Sequence, residues 1–329
     1  MKVVVLTTSY PTPSQPIAGA FVHASVEAVR SRGVEVDVVS PATFSHFGVA
    51  LGSGIAQNLR AAPWKAALVP AFLASYTLAA RHAARNADLV HAHWLPSAIA
   101  ARATGKPYVL QVWGTDVELV RRFPRLVRTL VRSARTVVAA SSYLAEQARL
   151  LGAERIEIVP TPVSIPRSVG EPDEPPHVLF AGRLSEEKGI LEFLAATVDL
   201  PRVIVGDGPL RSRVPEALGF VAPADLGRYY ERAAVVCVPS RREGYGVVAR
   251  EAMAYGRPVV ATNVGGLADL AGPGVELCSP GDLRESVAAL LADRSRREEL
   301  GKAGRGVAER SFSQGAVGDA LARVYASVA

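Results

Sequence analysis
Two cations five residues apart are the first chemically suggestive feature of this 329-residue chain. Arg183 and Lys188 follow the short apolar run VLFA in VLFAGRLSEEKGI, residues 178–190. The guanidinium therefore belongs at a strand end, and the ammonium near the start of the next helix. A planar fork beside a compact point charge suits the clustered oxygens of a diphosphate. Taken alone, the segment reads more simply as a solvated loop in which Glu186 and Glu187 pair locally.

A second segment gives that reading company. PSRREGYGVVAREAMAYGRPVVAT, residues 239–262, has the order strand, loop, helix, strand. Gly244 and Gly246 flank Tyr245, so backbone N–H groups can approach a ligand at a helix N-terminus, where the dipole favours an anion. Glu243 stands before the loop and Glu251 follows eight residues later, a spacing of about two helical turns. Glu251 is expected on the cleft-facing side, where a carboxylate accepts hydrogen bonds from paired hydroxyls, as in ribose recognition. By itself it equally fits a surface acid on a helix.

The elements that must carry these residues alternate along the chain. Lys2–Thr8, Val34–Val39, Asp88–His91, Pro107–Val112, Thr136–Ala140 and Ile156–Val159 are short apolar runs that suit parallel strands covered on both faces. Segments of helical period, such as Ala20–Arg32 and Tyr143–Leu151, lie between them. Residues 160–176 hold six prolines without periodicity and read as a linker. Strands resume at His177–Ala181, Arg202–Val205, Ala234–Val238, Pro258–Ala261 and Gly274–Cys278, and the last 45 or so residues look helical. This alternation predicts an α/β chain of two doubly wound parallel-sheet domains, with ligands beyond the carboxyl ends of the strands.

At this point the sequence resembles a known family. AGRLSEEKG, VGDGPLR (205–211), LGRYYERAAVVCVPS (226–240), and the Glu243-to-Glu251 element followed by AMAYGRPVVAT resemble the retaining, nucleotide-sugar-dependent glycosyltransferases of the GT-B fold, family 4-like, group 1. Gly19 in IAGAFVHASVEAVRSRGVEVDVVSP and the run ADLVHAHW match the usual opening, so the likeness covers nearly the whole chain. The resemblance implies two facing Rossmann-like domains. Residues 1–165 would be the acceptor side, 166–311 the donor side, and 312–329 a helix packing back toward the first domain.

It also implies site residues. Arg183 and Lys188 would hold the donor diphosphate and act in catalysis together with Glu243, which would approach the sugar hydroxyls. Gly244, Tyr245, Gly246 and Val247 would orient sugar and phosphate, and Glu251 would bind the ribose. Gly19 would let the first loop meet the diphosphate, and Phe220 and Val221 would frame the base. No metal or other cofactor is expected, because two cations can balance the leaving group and no acidic cluster stands out. Many relatives carry a histidine where this chain has Trp113, which has no basic nitrogen. Asp116 or the donor phosphate is then expected to take the acceptor proton, and His93 is the preferred acceptor-side histidine, with His91 more simply structural. The other reading of Trp113 is a catalytically silent relative that binds nucleotide or a partner.

Charge and composition bound the partners. Apolar residues make up 49% and charged residues 21%, with mean hydropathy +0.18, enough for sizeable cores. Residues 1–165 carry 17 Lys and Arg against 9 Asp and Glu, a net +8, whereas residues 166–329 are net −2. RRFPRLVRTLVRSAR, residues 121–135, sets Arg121, Arg125, Arg128 and Arg132 at helical spacing opposite a stripe of Phe123, Leu126, Val127, Leu130, Val131 and Ala134. The face fits an anionic membrane surface or a phosphorylated acceptor, and also an ordinary docked helix with a solvated side. Aromatics at 6%, not interleaved with the basic residues, argue against nucleic acid. Cys237 and Cys278 make neither a disulfide framework nor a zinc site. The start MKVVVLTTSYP reads as a first strand rather than a secretory signal, and no membrane crossing is expected. These features point to a cytoplasmic protein, with peripheral association at the inner membrane face as a further expectation.

Two other enzyme classes fit poorly. The first strand leads into SYPTPSQPIAGAF instead of a G-x-G-x-x-G turn, against a nicotinamide-dependent oxidoreductase. A glycoside hydrolase would need two carboxyls facing each other across the scissile bond.

Overall fold
The computed structural model describes residues 1–15, 17–50, 54–114 and 123–329, which divide into two compact units. The first contains β1 (Lys2–Leu6), α1 (Ala20–Arg30), β2 (Glu35–Val39), α2 (Ile55–Ala61), α3 (Val69–Ala83), β3 (Leu89–His93) and α4 (Leu95–Ala103). It continues with β4 (Tyr108–Val112), α5 (Pro124–Ser133), β5 (Thr136–Ala139), α6 (Ser142–Leu150) and β6 (Ile156–Ile158). Its six strands are all parallel, in the order β2-β1-β3-β4-β5-β6.

Continuous apolar runs become central strands for the expected reason. Every residue of β3 and β4 is buried, so no alternation of polar and apolar positions is needed. β6 departs from the expectation of cover on both faces: as an edge strand it is largely exposed, Ile158 at 50%. α6 starts where the Ser141 side chain accepts a hydrogen bond from the Leu144 amide, a serine N-cap. α5 starts at Pro124, where a missing N–H costs nothing at the first turn. The apolar stretch 64–80 packs through Phe72, Tyr76 and Ala80 of α3, spaced four residues apart, with Phe44 stacked on Tyr76 at 4.5 Å. Trp64 and Leu78 stay exposed.

The second unit, Val163–Ser313, holds β7 (Val178–Ala181), α7 (Ile190–Ala196), β8 (Arg202–Val205), α8 (Pro223–Arg232), β9 (Val235–Val238) and α9 (Val247–Ala254). After these come β10 (Val259–Thr262), β11 (Val275–Cys278), α10 (Leu283–Ala292) and α11 (Arg294–Ser311). Its five strands are again parallel, in the order β11-β10-β9-β7-β8. A last helix, α12 (Gln314–Val328), belongs to the first unit. There Val317, Leu321, Val324 and Tyr325 join Val22, Val26 and Val29 of α1 in one core. Each such side chain contributes about 1.5–3 kcal/mol on burial. Among the described residues no helix is long and apolar enough to cross a membrane.

Candidate functional site
In the second unit the site grows from the carboxyl end of β7. Gly182 and the exposed Arg183 follow Ala181, and the Leu184 amide donates to the Asp207 carbonyl at 2.9 Å, fixing the chain as it leaves the sheet. Arg183 has no ion-pair partner among the described residues. A turn at Glu186–Lys188 ends in Gly189, whose φ of 71° and close approach to the backbone exclude a side chain: a Cβ would lie 1.8 Å from the Pro239 carbonyl oxygen. That approach brings Lys188 Nζ to 2.7 Å from Glu243 Oε2, across 55 residues of sequence. Ser240 Oγ donates to the same oxygen at 3.4 Å. A pair that solvent still reaches through Lys188 adds at most about 1 kcal/mol to stability, so its main consequence is orientation. Lys188 keeps two N–H donors for a ligand.

The loop after Glu243 is held from below. Gly246, at φ 83°, is the N-cap of α9, and the Gly266 amide donates to the Glu243 carbonyl at 3.0 Å. Arg250, only 2% exposed, donates from its guanidinium to the Tyr245 carbonyl and, at 3.4 Å, to that of Gly246. Its plane lies 3.8 Å from the centre of the Tyr245 ring and 5.1 Å from that of Phe312. Burial pulls its pKa below the ordinary arginine value, an effect opposed by Tyr245, Asp269 and Glu243. Val247 opens α9 with its side chain exposed. Further along α9, Glu251 Oε2 accepts the Tyr230 hydroxyl at 2.7 Å. Burial raises the Glu251 carboxyl above its usual range while the tyrosine bond opposes this, and Oε1 remains for another donor. Phe220 is exposed, and Val221 is half-buried against the core.

Arg250, Tyr230 and Ser240 escaped sequence reasoning. The one signal for Arg250 is a charge inside the apolar octapeptide VVAREAMA, four residues after the capping glycine.

In the first unit, aromatic residues gather at the carboxyl ends of β3 and β4. His93, 1% exposed, stacks on Trp113 with centroids 6.0 Å apart and planes at 18°. Phe21 packs 4.5 Å from Trp113 and 5.6 Å from Trp94. Trp94 itself opens α4 at φ 65°, a conformation that costs a non-glycine residue about 1–3 kcal/mol and tends to persist at functional sites. His91 Nδ1 meets the Tyr325 hydroxyl of α12 at 2.7 Å. His93 Nδ1 is buried with no hydrogen-bond partner among the described residues. Gly19, at φ 62°, lies so close to the first loop that a Cβ would fall 2.2 Å from the Ser9 carbonyl oxygen. Asp116 and Arg121 lie outside the described residues.

Burial sets the protonation of the two histidines. It lowers His91 to about 3, with Gln111 opposing, and it holds His93 well below the ordinary value, with His91 adding to the effect. Both are therefore neutral near pH 7, and His93 offers a neutral imidazole, poor as a base. Unfolded, each would bind a proton below about pH 6.5. Stability is then fully present above pH 6.5 and falls on acidification, by about 1.4 kcal/mol per pH unit for each histidine. The urea midpoint of the first unit is expected to drop between pH 7 and 5, and His91→Gln/His93→Gln to flatten that slope. An unchanged slope in the double variant would assign the pH dependence elsewhere.

On α5, Arg125, Arg128 and Arg132 are exposed. The buried stripe is Val127, Leu130 and Val131 alone; Phe123 and Leu126, expected within it, stand exposed beside the arginines at 50% and 41%. Phe123 precedes the helix as its N-cap residue, and Leu126 falls outside the stripe that Val127, Leu130 and Val131 bury. Among the described residues, no three His, Cys, Asp or Glu side chains gather as metal ligands would.

Two units of parallel strands with interleaved helices form the GT-B architecture, the fold of a large class of glycosyltransferases. The chain belongs to the group 1 glycosyltransferases. The family model for glycosyl transferases group 1 matches residues 164–307, and that for glycosyltransferase family 4 matches residues 18–167. TuaC of Bacillus subtilis, provisionally named a teichuronic acid biosynthesis glycosyltransferase, is 27% identical over 83% of each chain. A D-inositol 3-phosphate glycosyltransferase of Xylanimonas cellulosilytica is 34% identical over 60% of this chain and 58% of its own length. Among solved structures, a sucrose-phosphate synthase of Thermosynechococcus elongatus superimposes with TM-score 0.78 at 19% identity, over 99% of this chain and 98% of its own. HepE of Anabaena in complex with UDP-glucose gives TM-score 0.71 at 19% identity, over 99% and 100%. At these identities the structural likeness shows the fold alone.

Proposed function
We propose that this glycosyltransferase moves a sugar from a nucleoside-diphosphate sugar to a glycan, lipid-linked or small-molecule acceptor, with retention at the anomeric carbon. The observation that carries the reading is the juxtaposition at the end of β7: an unpaired guanidinium on Arg183, and Lys188 oriented by Glu243. In the reaction the bond from the anomeric carbon to the diphosphate oxygen breaks and a bond to the acceptor oxygen forms. Positive charge grows on the carbon and negative charge on the leaving oxygen, and cations at that oxygen favour the transition state over the ground state. Arg183 and Lys188 would supply that stabilisation without a divalent ion. Glu243 would meet the sugar hydroxyls, the Gly244–Val247 amides the phosphate, and Glu251 the ribose through Oε1. With Trp113 unable to act as a base and His93 neutral, the acceptor proton would pass to the departing phosphate oxygen. The exposed Arg125, Arg128 and Arg132 beside Phe123 and Leu126 support contact with an anionic membrane surface.

UDP or GDP is expected to raise the melting temperature of the protein, and Arg183→Ala/Lys188→Ala to abolish the rise. A rise unchanged in the double variant would remove these residues from the donor site. The same lack of a base at Trp113 favours a second reading, a nucleotide-binding relative without turnover. Nucleotide stabilisation with no donor hydrolysis and no transfer to any acceptor would select it.

A further inference from the structure
We propose that the first unit carries a separate anion site, for a phosphate group, at the amino ends of β3 and β4. A cavity of about 430 Å³ opens there, lined by Arg81, His82, Arg85, Thr104 and Lys106, with the exposed Leu78 at its lip. Three elements converge to make it. Arg81 and His82 stand on the last turn of α3, Arg85 on the short turn that follows, and Thr104 and Lys106 on the connection from α4 to β4. Thr104 fixes that connection: its hydroxyl donates to the Ala101 carbonyl at 2.6 Å and accepts the Lys106 amide at 3.2 Å.

The cavity gathers three formal cations and a histidine, and no carboxylate lines it. None of the three cations has an ion-pair partner among the described residues. Several exposed arginines elsewhere pair with carboxylates, as in Arg30–Glu27, Arg232–Asp173, Arg284–Asp199 and Arg296–Glu299, whereas here three cations share one concavity with no carboxylate in its lining. A helix C-terminus favours cations and would account for Arg81 and His82. It does not account for Lys106, which comes from a different element and faces the same space. Like charges brought together in a concavity repel one another, and a bound anion relieves that cost. Guanidinium forks with an ammonium match phosphate oxygens, and the volume leaves room for the organic part of a phosphate ester. His93 and the neighbouring Trp113 lie at the opposite ends of the same strands, about 17 Å away along a five-residue strand. The cavity is therefore distinct from the proposed reaction site.

The test is calorimetric titration of the whole chain with inorganic phosphate and with glycerol 3-phosphate at low ionic strength. Phosphate binding is expected to persist in Arg183→Ala/Lys188→Ala and to weaken at least tenfold in Arg81→Gln/Arg85→Gln/Lys106→Gln. Because these three side chains reach solvent, the triple variant should keep its fold, checked by an unchanged melting temperature without phosphate. Vesicles of phosphatidylglycerol and of phosphatidylcholine separate the two sources of the phosphate. Loss of phosphatidylglycerol binding in the triple variant assigns it to a lipid headgroup; vesicle binding unchanged beside lost phosphate binding assigns it to a soluble ester. Phosphate binding equal in the wild type and the triple variant, or absent once Arg183 and Lys188 are removed, overturns the proposal. The donor-site reading stands or falls separately, on nucleotide stabilisation.

Discussion

Lys188→Ala is expected to lower sugar transfer by about 10²–10³-fold, the loss typical of removing one preorganised charge-stabilising donor from a transition state. Arg183→Ala should fall in the same range. Under the proposed chemistry the leaving oxygen gains charge only as the glycosidic bond breaks, so kcat should fall more than KM rises. Lys188 has a second task that Arg183 lacks. Its ammonium lies 2.7 Å from Glu243 Oε2, and the Glu243 side chain is only 13% exposed. Removing the cation leaves that carboxylate with Ser240 Oγ at 3.4 Å and no opposite charge, so Glu243 loses its fixed position as well. The double variant Lys188→Ala/Glu243→Gln should therefore lose less than the sum of the two single losses, with a coupling that Arg183→Ala/Glu243→Gln does not show. Initial rates over a nucleotide-sugar panel for the parent, the three single variants and the two double variants give both couplings. A Lys188→Ala enzyme with unchanged kcat would take Lys188 out of the chemistry.

The sequence showed most clearly those features that depend on local periodicity. VLFA, VVCV and VVAT are buried parallel strands because every residue faces a covering layer, and that condition is written in unbroken apolar runs. Edge position is not local, so the exposure of Ile158 on β6 could not be read from IEI. The same holds for α5. Its arginine spacing shows one face, but which apolar residues turn inward depends on the neighbours it meets, and Phe123 and Leu126 stayed outside. In the second unit, Arg183, Lys188 and Glu243 were legible as residue types with a suitable spacing. Their pairing across 55 residues was not, because it depends on Gly189 pressing against Pro239. Arg250 was invisible for a related reason: its partners are backbone carbonyls and ring faces, which no motif spells out.

Arg250→Met is expected to destabilise the second unit by about 2–3 kcal/mol and to abolish stabilisation by nucleotide. Methionine keeps most of the apolar volume between Tyr245 and Phe312, so the change isolates the guanidinium from simple cavity formation. A hydrogen bond from a charged donor is worth about 1.5–3 kcal/mol, and a desolvated cation over an aromatic face about 2. Against these stands the cost of keeping a charge 98% shielded, which the variant no longer bears and which lowers the net loss. For a unit of this size, 2–3 kcal/mol corresponds to roughly 4–12 °C in the melting temperature. The functional loss follows from geometry. Arg250 holds the Tyr245 and Gly246 carbonyls, and their peptide planes aim the amides at the start of α9. With the clamp gone, the Glu243–Gly246 loop can reorient, and nucleotide binding should fall even where the remaining fold survives at low temperature. Arg250→Lys keeps the charge but lacks the planar fork that reaches two carbonyls and stacks on a ring, so it should not rescue binding. Thermal melts with and without UDP across the three proteins decide the matter. An Arg250→Met protein as stable as the parent, with its nucleotide response intact, would make the buried arginine a passive filler.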